Sequence, residues 1–439
     1  MKILILDPEI KVSHRISKDT SGGYGTGNDF GDTMVPKLLK KTLKLVHDWP
    51  AMFAIYSMSV LKKNGHEVDY KKKIPENYKS YDLFIVVSSI VCCETECDYI
   101  RKISDSKKKI YVIGPFATSN PKKYIEAGGT VIMGEPEFFF LKNINLENIE
   151  EKKILNFEHN FNLDDLPYPD WENTIKNNKT SMLFGFEKSL PILATRGCPY
   201  SCFKYCVYPL QQGRKPRQRE VNKIVDEMEY WNKKFNVRMF IFRDPVFSIN
   251  RKHTIAFCKE LIDRKLNIRF IIETHLRILD SELIKILKEA GLKGVKVGVE
   301  SGDEDVLKDA NRFTIKQDDQ LTKIRELEKN KILISSMFIL GFPTDNKESM
   351  MKTINYAKKL NTTFSQFSVW TPYPGTPVFK EYENEITAEK YEQFDQYHLV
   401  FNHKKLNQQI IRKYLSKAYT SYYLRINWLS KYVKSFLLS

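Results

Sequence analysis

Residues 190–209 read "LPILATRGCPYSCFKYCVYP". An apolar run of strand length ends at Arg196 and Gly197, and Cys198, Cys202 and Cys206 follow at once. The chain has seven cysteines, so three within nine residues are a local concentration. A strand that ends on glycine and delivers reactive side chains in the next loop is the layout of a βα barrel. Sites in such barrels lie at the carboxyl ends of the strands.

The pattern continues downstream. Strands read as "LPILATR", "VRMFIFR", "IRFIIET", "GVKVGVE", "ILISSMFILG" and "FSQFSVW", with "VNKIVDEMEYWNKKF", "HTIAFCKELIDRK", "DSELIKILKEAG", "IKQDDQLTKIRELEKN" and "NKESMMKTINYAKKL" as the helices between them. "DSELIKILKEAG" opens on an Asp/Ser cap and closes on glycine. Six parallel strands with intervening helices predict a partial (β/α)6 barrel over 187–385.

Upstream, residues 1–140 also alternate strand and helix. "KILILD", "HEVDYKK", "DLFIVVSS", "KIYVIGPFA" and "GTVIMGEPE" read as strands, and 50–64 as a helix that stops at Gly65. Such alternation implies right-handed βαβ units and a doubly wound sheet. Ligands of these sheets lie outside the strand carboxyl ends. Those ends carry Asp7, Ser88 with Ser89, Gly114, Gly134 and Glu135, small or polar residues that admit a large flat ligand. "GGYGTG" does not fit G-x-G-x-x-G and reads as a flexible loop that orders over a ligand. Cys92, Cys93 and Cys97 read as small, half-buried residues at a helix start, without clean metal spacing. Residues 141–186, with "NLDDLPYPDW", form a linker, and 386–439 a helical C-terminal segment.

Composition bounds the class. The 439 residues are 42% hydrophobic and 28% charged, with a formal charge of +16. The lysines are scattered, which favours solvated faces over a nucleic-acid groove. "MKILILD" meets Asp7 and Pro8 too soon for a signal peptide, and no apolar run approaches the ~18 residues that span a bilayer. The chain reads as cytoplasmic and reduced, where clustered cysteines bind metal or do chemistry.

Three uses of the cysteines compete. Structural zinc needs four ligands, and no paired histidines lie near. A catalytic cysteine needs a histidine partner and leaves two thiols idle. An iron–sulfur cluster on three thiolates leaves one iron open to a substrate or cofactor. Ligand count and spacing favour the cluster; zinc and purely structural cysteines stay open.

"RGCPYSCFKYC" after a first barrel strand resembles the cluster loop of the radical S-adenosylmethionine (SAM) superfamily. That loop is usually C-x3-C-x2-C with an aromatic residue before the last cysteine. Here the spacing is C-x3-C-x3-C, with Tyr205 in the aromatic place, which predicts a bulge at Phe203–Lys204. "FRDPVF" (242–247), "VGVESGDEDVL" (297–307), "FILGFPTDNKES" (338–349) and "TPYPGTPVF" (371–379) resemble later strand turns of the same superfamily. "VIGPFAT", "MGEPE" and "LDDLPYPDW" resemble the cobalamin-binding, Rossmann-like domain and linker fused to one radical SAM class. "KAYTSYYLRINWL" resembles the helix that ends such proteins. D-x-H-x-x-G, the source of a lower axial histidine in many cobalamin proteins, does not occur.

The resemblance implies a [4Fe-4S] cluster on Cys198, Cys202 and Cys206, and SAM near Tyr205, Asp244, Glu300 and Gly341. It implies cobalamin at the edge with Asp7, Ser88, Gly114, Gly134 and Glu135. Tyr205 as a core residue and Glu300 in a barrel-mouth ion pair are the alternatives. Arg214, Arg217 and Arg219 either bind anions or form a solvated basic loop. By the same resemblance, SAM cleavage yields a 5′-deoxyadenosyl radical that takes a substrate hydrogen, and methylcobalamin donates the methyl group. Methylation of an unactivated carbon leads. Radical cyclisation or rearrangement, RNA modification, and a non-enzymatic metal protein are the rivals. The partners implied are a small-molecule or biosynthetic-intermediate substrate and an electron donor such as flavodoxin or ferredoxin, with nucleic acid disfavoured. The basic, aromatic tail either docks on the barrel or lies on a membrane surface.

Overall fold

Two six-stranded parallel sheets organise the chain. The computed structural model describes all residues except 45–48, 147–148, 150–151, 157–160, 178–187, 201–203, 313 and 438–439. The first sheet contains β1 (Lys2–Leu6), β2 (Glu67–Lys71), β3 (Leu83–Val87), β4 (Lys109–Ile113), β5 (Thr130–Ile132) and β6 (Ile154–Leu155). Their order is β2-β1-β3-β4-β5-β6, so the topological switch lies between β1 and β3. Every position of "LFIVV" in β3 is buried, because helices cover both faces of a parallel sheet.

Between the sheets lies α2 (Met52–Lys63), which follows α1 (Met34–Lys44). Residues 52–61 of α2 are all buried. Met52, Ile55 and Tyr56 join the barrel core, whereas Ala54, Met58 and Leu61 join the core of the first sheet. A helix sandwiched in this way is apolar all round rather than striped. A third helix, α3 (Cys93–Ser104), starts with Cys93 and Cys97 buried. These two thiols and Cys92 pack into the first sheet's core, fully buried where the sequence reads them as half-buried.

The second sheet contains β7 (Ser189–Ile192), β8 (Met239–Phe242), β9 (Arg269–Glu273), β10 (Leu292–Glu300), β11 (Leu333–Leu340) and β12 (Phe364–Val369). They pair in chain order, all parallel, with β7 and β12 at the edges. The connections are α4 (Val221–Phe235), α5 (Arg251–Asp263), α6 (Ser281–Glu289), α7 (Gln317–Lys329) and α8 (Lys347–Leu360). Asp280 caps α6 by accepting from the Leu283 N–H at 2.9 Å. Asn346 and Ser349 form a reciprocal capping box on α8. The chain is thus α/β throughout, a doubly wound sheet followed by a partial (β/α)6 barrel, and ends in helices.

Three segments differ from the sequence reading. Within 141–186, Ile154–Leu155 pairs with β5 and extends the first sheet, and Trp171 is fully buried in the barrel core. Among the described residues of 386–439, only α9 (Gln408–Tyr423) and α10 (Ile426–Leu437) are α-helical. Before them, buried His403 holds the chain out of a helix. Its Nε2 pairs with the Phe342 carbonyl at 2.8 Å, and its Nδ1 accepts from the N–H groups of Lys405 and Leu406 at 3.1 Å. The third is the glycine loop, which is packed: residues 23–27 are buried, and the Tyr24 carbonyl accepts from Ile90 N–H at 2.8 Å. No helix among the described residues is long and apolar enough to cross a membrane.

Candidate active site at the facing sheet ends

The cysteine loop leaves the barrel through a narrow stem. Thr195 and Arg196 pair antiparallel with Gln218 and Arg217. Gly197 adopts φ +88, and a Cβ there would lie 2.4 Å from the Lys215 carbonyl oxygen, so no other residue fits. The buried Cys198 donates its N–H to the Gly213 carbonyl at 3.2 Å. Cys206, half-buried, returns the chain to a short helix, Tyr208–Gln212. Cys202 and Phe203 lie outside the described residues, and with them the second of the three expected ligands and the first residue of the expected bulge. The Lys204 carbonyl is held by Val378 N–H at 3.2 Å. No set of three metal-ligating side chains is gathered among the described residues. Tyr205 packs edge-on to Phe342 and Trp370, with centroids 6.3 and 6.4 Å away, at the mouth formed after β11 and β12.

The remaining residues expected at SAM divide by role. Asp244, wholly buried after β8, accepts from the backbone N–H of Ala194 at 3.2 Å and from that of Thr195. Burial raises its pKa to about 6, against the hydrogen bonds of Thr195 and Ala194 that lower it. It therefore clamps the strand end that feeds the cysteine loop. Glu300 ends β10 at φ +70, beside an irregularity in the β10–β11 register. A glutamate in left-handed backbone is strained, and such strain gathers at functional sites. Its Oε1 accepts from Arg312 at 3.2 Å, the ion pair that the sequence left as an alternative. Burial raises the Glu300 pKa more than Arg312 lowers it. Gly341 follows β11 and donates its N–H to Asp345 at 2.9 Å. Asp345 also accepts from Phe342 N–H at 3.0 Å and from the Ser349 hydroxyl, and burial raises its pKa to about 6.

At the first sheet's edge, the chain fills much of its own crevice. Lys18, from the loop after β1, reaches the switch point. Its ammonium lies 2.9 Å from Asp7 and 2.7 Å from Glu96, and donates to the Val87 carbonyl at 3.0 Å. Burial, which disfavours its charge, is outweighed by Asp7 and Glu96, so its pKa is raised. Tyr70 donates to Asp7 as well. Ser88 accepts from Ala117 N–H at 3.1 Å. Gly114 (φ +119) comes so close to Phe53 and Ser88 that a Cβ would lie 2.8 Å from each. Gly134 donates its N–H to Thr118 at 3.0 Å.

Glu135 joins the two edges. It accepts from Arg196 at 2.6 Å and from Arg217 at 2.7 Å, and so grips both sides of the cysteine-loop stem. Arg196 also pairs with buried Glu137 and lies over Tyr56, 5.4 Å from its ring centroid. Arg243, after β8, pairs with Asp19 at 3.0 Å. A cavity between the sheets is lined by Asp19, Gly23, Phe53, Glu135, Arg196, Tyr208 and Arg243, among others. Of the five residues expected at this edge, only Glu135 lines it.

The basic loop is not what its sequence suggests. Arg217 is tied to Glu135, and Arg219 pairs with buried Glu227 at 2.6 Å, so only Arg214 of the three is exposed. The sequence reading missed Lys18, Arg196, Arg243 and Asp345. It also missed His275, which burial, then Arg312 and Arg277, lower to a pKa of about 3. Arg196 and Arg243 adjoin residues already singled out, Cys198 and Asp244, which was the available signal.

Residues 192–357 match the family described as the Radical SAM superfamily. An uncharacterised methyltransferase of Pyrococcus horikoshii is 27% identical over 269 residues, 60% of this chain and 57% of that relative. The bacteriochlorophyllide d C-12(1)-methyltransferase of Chlorobaculum tepidum is 30% identical over 224 residues, 50% of this chain and 48% of the relative. The chain thus matches about half the length of these two relatives. In fold it is similar to the radical SAM methyltransferase TsrM of Kitasatospora setae, solved with cobalamin and a [4Fe-4S] cluster bound. That likeness has a TM-score of 0.63 at 16% identity, over 88% of this chain and 78% of TsrM.

Proposed function

We propose that this chain, whose residues 192–357 are a radical SAM domain, uses a [4Fe-4S] cluster, SAM and cobalamin to methylate an unactivated carbon of a small-molecule substrate. The observation that carries this reading is the placement of the cysteine loop. Its stem, at Arg196 and Arg217, is tied through Glu135 to the ligand edge of a doubly wound sheet. Arg196 and Tyr208, which flank the cysteine loop, line one cavity together with Glu135 of that edge.

The residues fit these groups. Cys198, Cys202 and Cys206 supply an all-thiol donor set of the kind that iron–sulfur clusters take. Gly23 lines the cavity, and its missing Cβ lets the backbone pass against Pro115 and Phe53 there. When bound, the cluster supplies the electron that cleaves SAM, and cobalamin supplies a transferable methyl group. The chain's own work is positioning. In this reading Glu300 accepts a hydrogen bond from SAM, and Tyr205 and Gly341 border it. Asp244 holds 194–195 so that the cysteine loop starts in register. Glu135, Ser88, Gly114 and Gly134 border cobalamin, and Asp7 acts through Lys18. Phe53, Met52 and Leu193 exclude water from the cavity, which protects reactive intermediates. An electron donor such as flavodoxin or ferredoxin is the redox partner.

Anaerobic reconstitution with iron, sulfide and hydroxocobalamin tests the proposal. The expected results are a four-iron cluster, 5′-deoxyadenosine from SAM under reduction, and retained cobalamin on gel filtration. One equivalent of zinc with no iron uptake would overturn it. Iron and SAM cleavage without retained cobalamin would remove the methylation arm. Cys198→Ala and Cys206→Ala are each expected to cut the bound iron severalfold.

A further inference from the structure

The outer face of α1, α9 and α10 combines exposed apolar side chains with exposed lysines. Nine large apolar side chains are exposed among the described residues, and six belong to this region: Met34, Leu38, Leu424, Ile426, Leu429 and Val433. Ile426, Leu429 and Val433 recur at spacings of three and four, one stripe of α10. Their exposures are 83%, 48% and 52%, in a helix whose opposite side is docked. Trp428 donates to the Thr363 carbonyl at 2.9 Å, and Tyr432 packs on Phe364. These two aromatic side chains are thus spent on the barrel, and the outward stripe among the described side chains is aliphatic. The Thr33–Thr420 hydrogen bond, 2.8 Å, brings the first turn of α1, with Met34, to the last turn of α9, which leads to Leu424.

The charge on this face has one sign. Segment 33–44 has four lysines and no acid, and 408–437 has six lysines and arginines and no acid. Three acids beside these helices are neutralised by their own cations. Asp29 pairs with Lys40 and Arg412, Asp32 with Arg412, and Glu328 with Lys431. Lys37, Lys41, Lys413, Lys417 and Lys434 are exposed and in no ion pair among the described residues. An aliphatic stripe rimmed by unpaired lysines complements an anionic lipid surface. There the apolar side chains enter the headgroup boundary, and each nearby lysine adds ~1 kcal/mol. A second copy of this chain would instead set lysines against lysines.

We propose that α1, α9 and α10 form a docking face for an anionic bilayer, and that the protein binds such membranes reversibly. This rests on the surface alone and holds whatever reaction the buried site performs. Sedimentation of the full chain with vesicles of equal parts phosphatidylglycerol and phosphatidylcholine tests it, against pure phosphatidylcholine. The expected result is binding to the anionic vesicles only, weakened at least ~10-fold by molar salt, which shortens the screening length to ~3 Å. Leu429→Glu with Val433→Glu, two exposed sites, is expected to weaken binding by ~10-fold or more with an unchanged unfolding temperature. No binding to anionic vesicles overturns the proposal, as does equal binding by the double variant. So does a wild-type dimer in light scattering that the double variant abolishes, because the stripe then belongs to a second copy.

Discussion

Glu300 is the residue at which local sequence and tertiary context meet. It stands in "VGVESGDE", takes the left-handed backbone, and is opposed by Arg312. Glu300→Gln keeps an acceptor for Arg312 but removes the charge. A charged hydrogen bond contributes ~1.5–3 kcal/mol, so the proposed role predicts ~10- to 100-fold weaker SAM binding. Isothermal titration on cluster-loaded protein measures this, and an unchanged affinity would leave Glu300 as an ion-pair residue only. The cysteine spacing and the Glu300 turn stand out in the sequence because their signals are local. Lys18 and Arg196 do not, because their partners are distant: Lys18 meets Glu96 across 78 residues, and Arg196 meets Glu135 across 61. Asp345 shows a third case. It stands inside a quoted stretch, yet its role as a buried acceptor for the turn depends on burial that the stretch does not display.

At the scale of elements, the β11–α8 turn is organised by that buried carboxyl. Asp345 has an ordinary pKa of 3.8 and one of about 6 in the fold. A raised acid favours the folded state below its unfolded pKa, and this contribution is lost as pH rises through the folded value. Relative to Asp345→Asn, wild-type stability is therefore expected to fall between pH 4 and pH 7, by up to about 3 kcal/mol. Urea unfolding of both proteins at the two pH values checks this. The opposite sign would mean that the carboxylate is stabilised rather than penalised in the turn. Barrel strands and helices were legible because apolar periodicity and caps declare them, as Asp280 does for α6. The strand Ile154–Leu155 was not, since two residues carry no period, and neighbouring β5 recruits them. The irregular run before α9 was also hidden, because His403 is held there by a carbonyl 61 residues away.

In the whole molecule, α2 and Glu135 couple the two sheets. Glu135→Ala leaves Arg196 and Arg217 facing each other with one carboxylate fewer. Removing one partner from a buried ion-pair group costs about 3–5 kcal/mol. The expected outcome is a large drop in melting temperature, with the two sheets unfolding in separate calorimetric transitions. A single transition with little shift would show that α2 suffices to hold the sheets together. The sequence by itself determined the two βα series, their order, and the loop that carries the cysteines. These follow from local periodicity, strand-end residues and ligand spacing. Only the tertiary structure decided that the two carboxyl edges face each other. It also turned Arg217, Arg219 and Asp244 inward to structural work, and let Lys18 close the switch point. Those outcomes depend on burying charge against charge between distant segments, and such a pairing is defined only once the sheets have packed.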